Sequence, residues 1–162
     1  MPVNQATEQW KSFASEFTRD GTLRDIYVLD VQVEHWEKAA RFVARRGYPV
    51  KFSGWWTQVT FPADIARLFP AEPEDKCTTL SIDVSGVLIN CHFFTQDEIE
   101  FDLDPGDVVD PSRLDAVFEF MNGLANAVGK EVVLAPENMP ETAIFRCRPG
   151  VSRVEYTPFG GW

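Results

Sequence analysis

Three stretches in the middle of the chain alternate apolar with polar residues, and three others repeat apolar residues at helical spacing. The alternation begins with "TTLSIDV" and "VLINCHFF", which flank Ser85-Gly86. Such a dipeptide between two alternating runs predicts a two-residue hairpin. Closing it sets Val84 opposite Val87, Ile82 opposite Ile89 and Leu80 opposite Cys91, so every apolar side chain falls on one face. A three-residue loop at Thr95-Gln96-Asp97 extends the pattern to a third strand. Phe93 then faces Ile99, Cys91 faces Phe101 and Ile89 faces Leu103. The opposite face of this meander carries Ser81, Asp83, Asn90, His92, Glu100, Asp102 and Asp104, with His92 across from Glu100 and Asn90 across from Asp102.

Helical spacing appears first in residues 5–17, where Trp10, Phe13, Ala14 and Phe17 form one stripe. Residues 33–47 present Trp36, Ala39, Ala40 and Val43. They end in Arg45, Arg46 and Gly47, cations and a glycine suited to a helix C-terminus. The longest pattern is residues 110–130. Asp110 is a natural N-cap, Pro111 fits the first turn, and apolar residues recur from Leu114 to Val128 before Gly129.

Other elements are shorter. "LRDIYVLDV", residues 23–31, is apolar in both alternating sets, which suits a strand buried on both faces. Residues 48–61 predict a strand or a hairpin turning at Ser53-Gly54, and residues 62–69 a short helix. "EVVLAPEN" predicts a strand, and "TAIFRCR" another, suited to a sheet edge. Residues 150–162 are expected to form a docked or frayed tail, with Tyr156, Phe159 and Trp162 as its docking groups. The sum is a single domain, 1–162, of the α+β class: two layers, a mainly antiparallel sheet, and helices packed on one face.

Composition supports a packed core: 44% of residues are hydrophobic and 13% aromatic, which excludes an intrinsically disordered chain. No apolar run is long enough to span a bilayer, and "MPVNQATEQWKSF" lacks a secretory layout. Three cysteines without CxxC spacing do not make a disulfide framework. A cytoplasmic protein is expected, without membrane association.

Charge changes the picture more. The net charge is −10, but residues 1–71 and 121–162 are nearly balanced. Residues 72–120 hold thirteen acids and only two bases, Lys76 and Arg113. An anionic surface repels phosphate, so nucleic acid is not an expected partner, whereas a basic protein is attracted.

The candidate chemistries are sparse. His92, Glu100 and Asp102 have ligand-type side chains, but their spacing matches no metal motif. Cys91 and His92 are adjacent on a strand and point to opposite faces, so they do not form a nucleophile and base. No phosphate-binding glycine loop or nucleophile elbow is present. No catalytic residue, metal or cofactor is expected. The function expected from the residues is a non-enzymatic interaction module. Asp83, Glu100, Asp102 and Asp104 would bind a basic partner, with Trp55 or Trp56 as an apolar anchor. The alternative is a small enzyme or ligand-binding protein with a pocket lined by Asn90, His92 and Glu100. A homodimer through sheet edges or exposed aromatics fits either.

"LRDIYVLDV", "INCHFFTQDEIEFDLDP" and "GKEVVLAPENMPE" resemble segments of small uncharacterised bacterial α+β proteins, over most of residues 8–148. That resemblance transfers no catalytic residue. Small acidic proteins of this kind are similar in style to immunity proteins that neutralise delivered toxins, which implies a toxin-like basic partner.

Overall fold

The computed structural model describes residues 4–72 and 74–162. In chain order the elements are Gln5–Phe13 (α1), Arg24–Val28 (β1), Val33–Arg46 (α2), Val50–Ser53 (β2), Thr79–Val84 (β3) and Val87–His92 (β4). Ile99–Leu103 (β5), Pro111–Val128 (α3), Val132–Pro136 (β6), Phe145–Cys147 (β7) and Glu155–Tyr156 (β8) follow. The strands form one antiparallel sheet in the order β2-β3-β4-β5-β1-β6-β7-β8. This is an α+β fold, with the helices on one face of the sheet.

The register read from alternation is the register of the fold, except that the β4–β5 ladder stops at His92–Glu100: the connection is residues 93–98 rather than the three residues expected, and Phe93–Ile99 lies outside the ladder. Val84 pairs with Val87, Ile82 with Ile89 and Leu80 with Cys91. Cys91 pairs with Phe101 and Ile89 with Leu103. Ser85 and Gly86 both take left-handed conformations, φ 52° and 90°, as a tight hairpin twisting with its strands requires. One face of all eight strands packs under the helices. Leu114, Val117, Phe118, Met121 and Leu124 of α3, and Trp36, Phe42 and Val43 of α2, share one buried cluster with Ile26, Val28, Ile82, Ile89, Ile99 and Phe101.

Three expectations need correction, and a fourth is narrowed to one of its alternatives. The first helix does not run to residue 17: Gln9 leaves helical geometry, and Ala14–Phe17 forms a tighter 3-10 turn. That turn lets Phe13 and Phe17 both reach Phe145, at 5.0 and 5.9 Å between ring centroids. Of the strand or hairpin expected over 48–61 the strand is present, as β2, and Gly54 then turns the chain beneath a backbone carbonyl without a second strand. Its φ is +87°, and a Cβ there would lie 2.0 Å from the Cys77 oxygen. The helix expected at 62–69 is a single 3-10 turn, Ile65–Leu68. Finally, β7 is not an edge strand, because the tail returns as β8 to pair Tyr156 with Phe145 and Glu155 with Arg146.

The tail is docked. Trp162 donates its indole N–H to Glu16 at 2.7 Å, and the Tyr156 hydroxyl donates to the other Glu16 oxygen at 2.6 Å. Beside them lies Arg24, fully buried on the helix-covered face of β1. Its Nε donates to the Glu16 carbonyl at 2.7 Å. Its two terminal nitrogens donate to the Thr18, Thr22 and Leu23 carbonyls, the Thr22 hydroxyl and the Asp20 carboxylate. The Trp162 ring covers the guanidinium at 3.7 Å. Bonds from Thr22, then from Arg24, hold Asp20 down at about 2.

Candidate functional site

The face of the sheet turned away from the helices is where the polar side chains gather. Strand register aligns them in two rows. One runs Ser53, Thr79, His92, Glu100, Tyr27, Val133, Arg146, Glu155. The other runs Lys51, Ser81, Asn90, Asp102, Asp25, Ala135. His92 lies opposite Glu100 and Asn90 opposite Asp102, as the alternation predicts.

A chain of hydrogen bonds ties the rows together. The Ser81 hydroxyl donates to the Asn90 oxygen at 2.8 Å, and the Asn90 amide donates to Asp102 Oδ1 at 3.2 Å. His92 reaches diagonally past Glu100, so that its Nε2 lies 2.5 Å from Asp102 Oδ2. Its Nδ1 lies 3.4 Å from the Thr79 hydroxyl. The Phe94 ring stacks on the imidazole, 5.0 Å between centroids and 8° from parallel. The Asp102 bond is the main reason that the His92 pKa is raised, with Glu100 and Asp25 adding to it against the effect of burial.

Next to this chain sits a carboxylate that sequence reasoning passed over. Asp25 is only 2% exposed although it lies on the helix-free face. Residues 137–143 cover it. Asn138, at φ 60°, donates its N–H to Asp25 Oδ2 at 2.7 Å, and Glu137 accepts the Leu23 N–H. Ala143 packs on Tyr27, Val133 and Ala135. The Tyr27 hydroxyl donates to the same Asp25 oxygen at 2.8 Å. Burial raises the Asp25 pKa, and the facing Asp102 raises it further. Burial, followed by the bond to Asp25, raises Tyr27 as well. The available signal was the alternation of Asp25 and Tyr27 with Ile26.

The raised pKa of Asp25, unlike that of Tyr27, works against the fold at neutral pH. A carboxyl whose folded pKa exceeds its unfolded value contributes most below the unfolded pKa, and the contribution is lost as pH rises through the folded one. Asp25→Asn keeps an oxygen for Asn138 and Tyr27 but removes the buried charge. The variant is expected to be more stable than the parent at pH 7, with the gap closing as pH falls through the acid range. Urea midpoints measured across pH test this; a less stable variant at pH 7 refutes it.

The remaining predicted site residues divide. Glu100 and Asp102 lie at the centre of the face, and Asn90 and His92 beside them. Asp83 is on the same face but accepts the Gly86 N–H at its own turn. Asp104 starts a 3-10 turn by accepting the Gly106 N–H, and it pairs with Arg19 at 3.3 Å. Trp55 and Trp56 line a separate groove of about 430 Å³ with Arg67 and Phe69. Trp55 is exposed there, while Trp56 bonds to the Thr60 carbonyl and lies 5.3 Å under the Arg67 guanidinium.

Another groove, of about 400 Å³, lies beside Tyr27, Val133 and Pro140, rimmed by Lys130, Glu131, Glu141 and Arg146. Neither groove includes Asn90, His92 or Glu100. Cys91 points into the core, where burial pushes its thiol well up, and burial pushes Cys147 up to about 12. Among the described residues no three histidine, cysteine or carboxylate side chains are grouped to hold a metal ion, and no helix is long and apolar enough to cross a membrane. Comparison of the chain with protein-family models, curated proteins and solved structures finds no match.

Proposed function

We propose that the helix-free face of the sheet is a docking surface for a basic protein, in an immunity- or antitoxin-like role. The observation that carries this reading is a pair of carboxylates, Glu98 and Glu100. Both are half-buried, Glu100 at the middle of the face and Glu98 where the β4–β5 connection enters β5, and neither enters a hydrogen bond or ion pair among the described residues. Burial raises the pKa of each, and neighbouring acids add to it: Asp97 at Glu98, and Asp25 foremost at Glu100. A partner's ammonium or guanidinium placed there relieves both penalties. Leu29, Leu88 and Phe94 are exposed apolar side chains on the strands that carry these acids or beside them, and they supply contact area that charge alone lacks.

N-acetylated decalysine is a defined probe for this surface. Calorimetric titration at low salt is expected to show binding that Glu98→Lys combined with Glu100→Lys weakens by at least about tenfold. Reversal of Glu72, Glu74 and Asp75, acids of an outlying loop, is expected to matter less. The reading fails if the loop reversal removes binding and the Glu98 and Glu100 reversal does not.

A further inference from the structure

We infer that His92 is a proton-operated regulator of this docking face: neutral, it leaves the face at full negative charge, and protonated, it weakens the hold on a cationic partner. The inference rests on the reading of the face as a docking surface.

Its basis is the arrangement around the ring. From β5, Asp102 and Glu100 face His92, with Glu98 just before the strand begins. From β1 come Asp25 and the Tyr27 hydroxyl. From β3 comes Thr79, which does not titrate, and Phe94 covers one side of the ring. The nearest bases in the two rows are Lys51, beyond Ser81, and Arg146, beyond Val133 and held by Glu131 and Glu155. Among the described residues His92 is therefore the one titratable cation within the band formed by Asp25, Glu98, Glu100 and Asp102.

The hydrogen-bond chain accepts both states of the ring. In the neutral form Nε2–H donates to Asp102 and Nδ1 accepts from the Thr79 hydroxyl. Protonation adds a hydrogen at Nδ1, and the Thr79 hydroxyl turns to accept it. No backbone bond is broken and the ring stays where it is. The change delivered to the surface is one unit of charge beside Glu100. Because Asp102, seconded by Glu100 and Asp25, raises the His92 pKa, the change falls where histidine can respond near neutral pH. Linkage makes the effect reciprocal: a bound cation must lower the His92 pKa by as much as protonation lowers affinity.

The test uses the full chain and N-acetylated decalysine, whose side chains do not titrate between pH 6 and 8.5. Affinity is expected to rise on the order of tenfold across that interval. It should become flat in His92→Gln, which keeps an N–H for Asp102 without titrating. The chain has only two histidines, and the other, His35, accepts the Gln32 N–H at the start of α2. Proton magnetic resonance can therefore follow His92 directly, and its pKa is expected to drop in the complex. Binding with no pH dependence, or with the same slope in His92→Gln, overturns the regulator while leaving the docking face intact. Absence of binding at pH 8.5 overturns both.

Discussion

Arg24→Leu is expected to lower the stability of the fold by about 3–5 kcal/mol, the usual penalty for removing one partner of a buried charged network. The side chain is fully buried, so solvent does not replace what is lost. Leucine leaves the carbonyls of Glu16, Thr18 and Leu23 without the donors that now reach them at 2.7, 3.1 and 3.2 Å. It also leaves Asp20 without its cation and Trp162 without the guanidinium on which it rests. The damage should be visible in two places: a lower urea midpoint, and a Trp162 environment that loosens before the rest of the molecule. A loss below about 1 kcal/mol would mean that the hub is dispensable.

Phe145→Ala is expected to cost a similar amount, about 3–5 kcal/mol. Phe145 is fully buried on β7 and touches aromatic rings from four directions. Phe13, Phe17, Phe118 and Tyr156 lie 5.0, 5.9, 5.1 and 5.0 Å from it between centroids. Those rings belong to the first helix, the turn after it, α3 and the tail strand. A cavity there loosens four elements that all pack on this one ring, in addition to the direct contacts of Phe13 with Phe118 and Tyr156. Thermal denaturation distinguishes the outcomes: a drop of several degrees fits the packing, and an unchanged transition contradicts it.

How far the sequence revealed these features depended on whether the information was local. The β3–β4–β5 register was legible because each strand has a strictly alternating face and each connection is short. The position of β1 was not. Its two sets, Arg24 with Ile26 and Val28, and Asp25 with Tyr27, each contain a charged residue, so alternation does not say which set faces the helices. Only the fold shows that a charged side chain enters the interior and that Asp25 is covered by residues 137–143. The two-residue β8 carries no periodic signal at all.

The acidity of residues 72–120 was equally legible, but a count of charges does not say what each carboxylate does. Asp83, Asp104, Asp110 and Asp115 accept backbone N–H groups. Asp102 serves His92 and Asn90. Glu98 and Glu100 have no hydrogen-bond or ion-pair partner among the described residues and are the ones whose pKa burial raises, and that burial turns a diffuse negative segment into a surface with a centre.

The sheet order has a consequence for how the molecule is made. β1 is inserted between β5 and β6, strands that leave the ribosome long after it. Until then a segment rich in isoleucine, valine and tyrosine has no neighbour on either edge. Contacts this distant along the chain slow the search for the native state, and an unpaired strand invites association with other nascent chains. Refolding in the test tube should accordingly be slow for a protein of this length, and yield should fall as concentration rises.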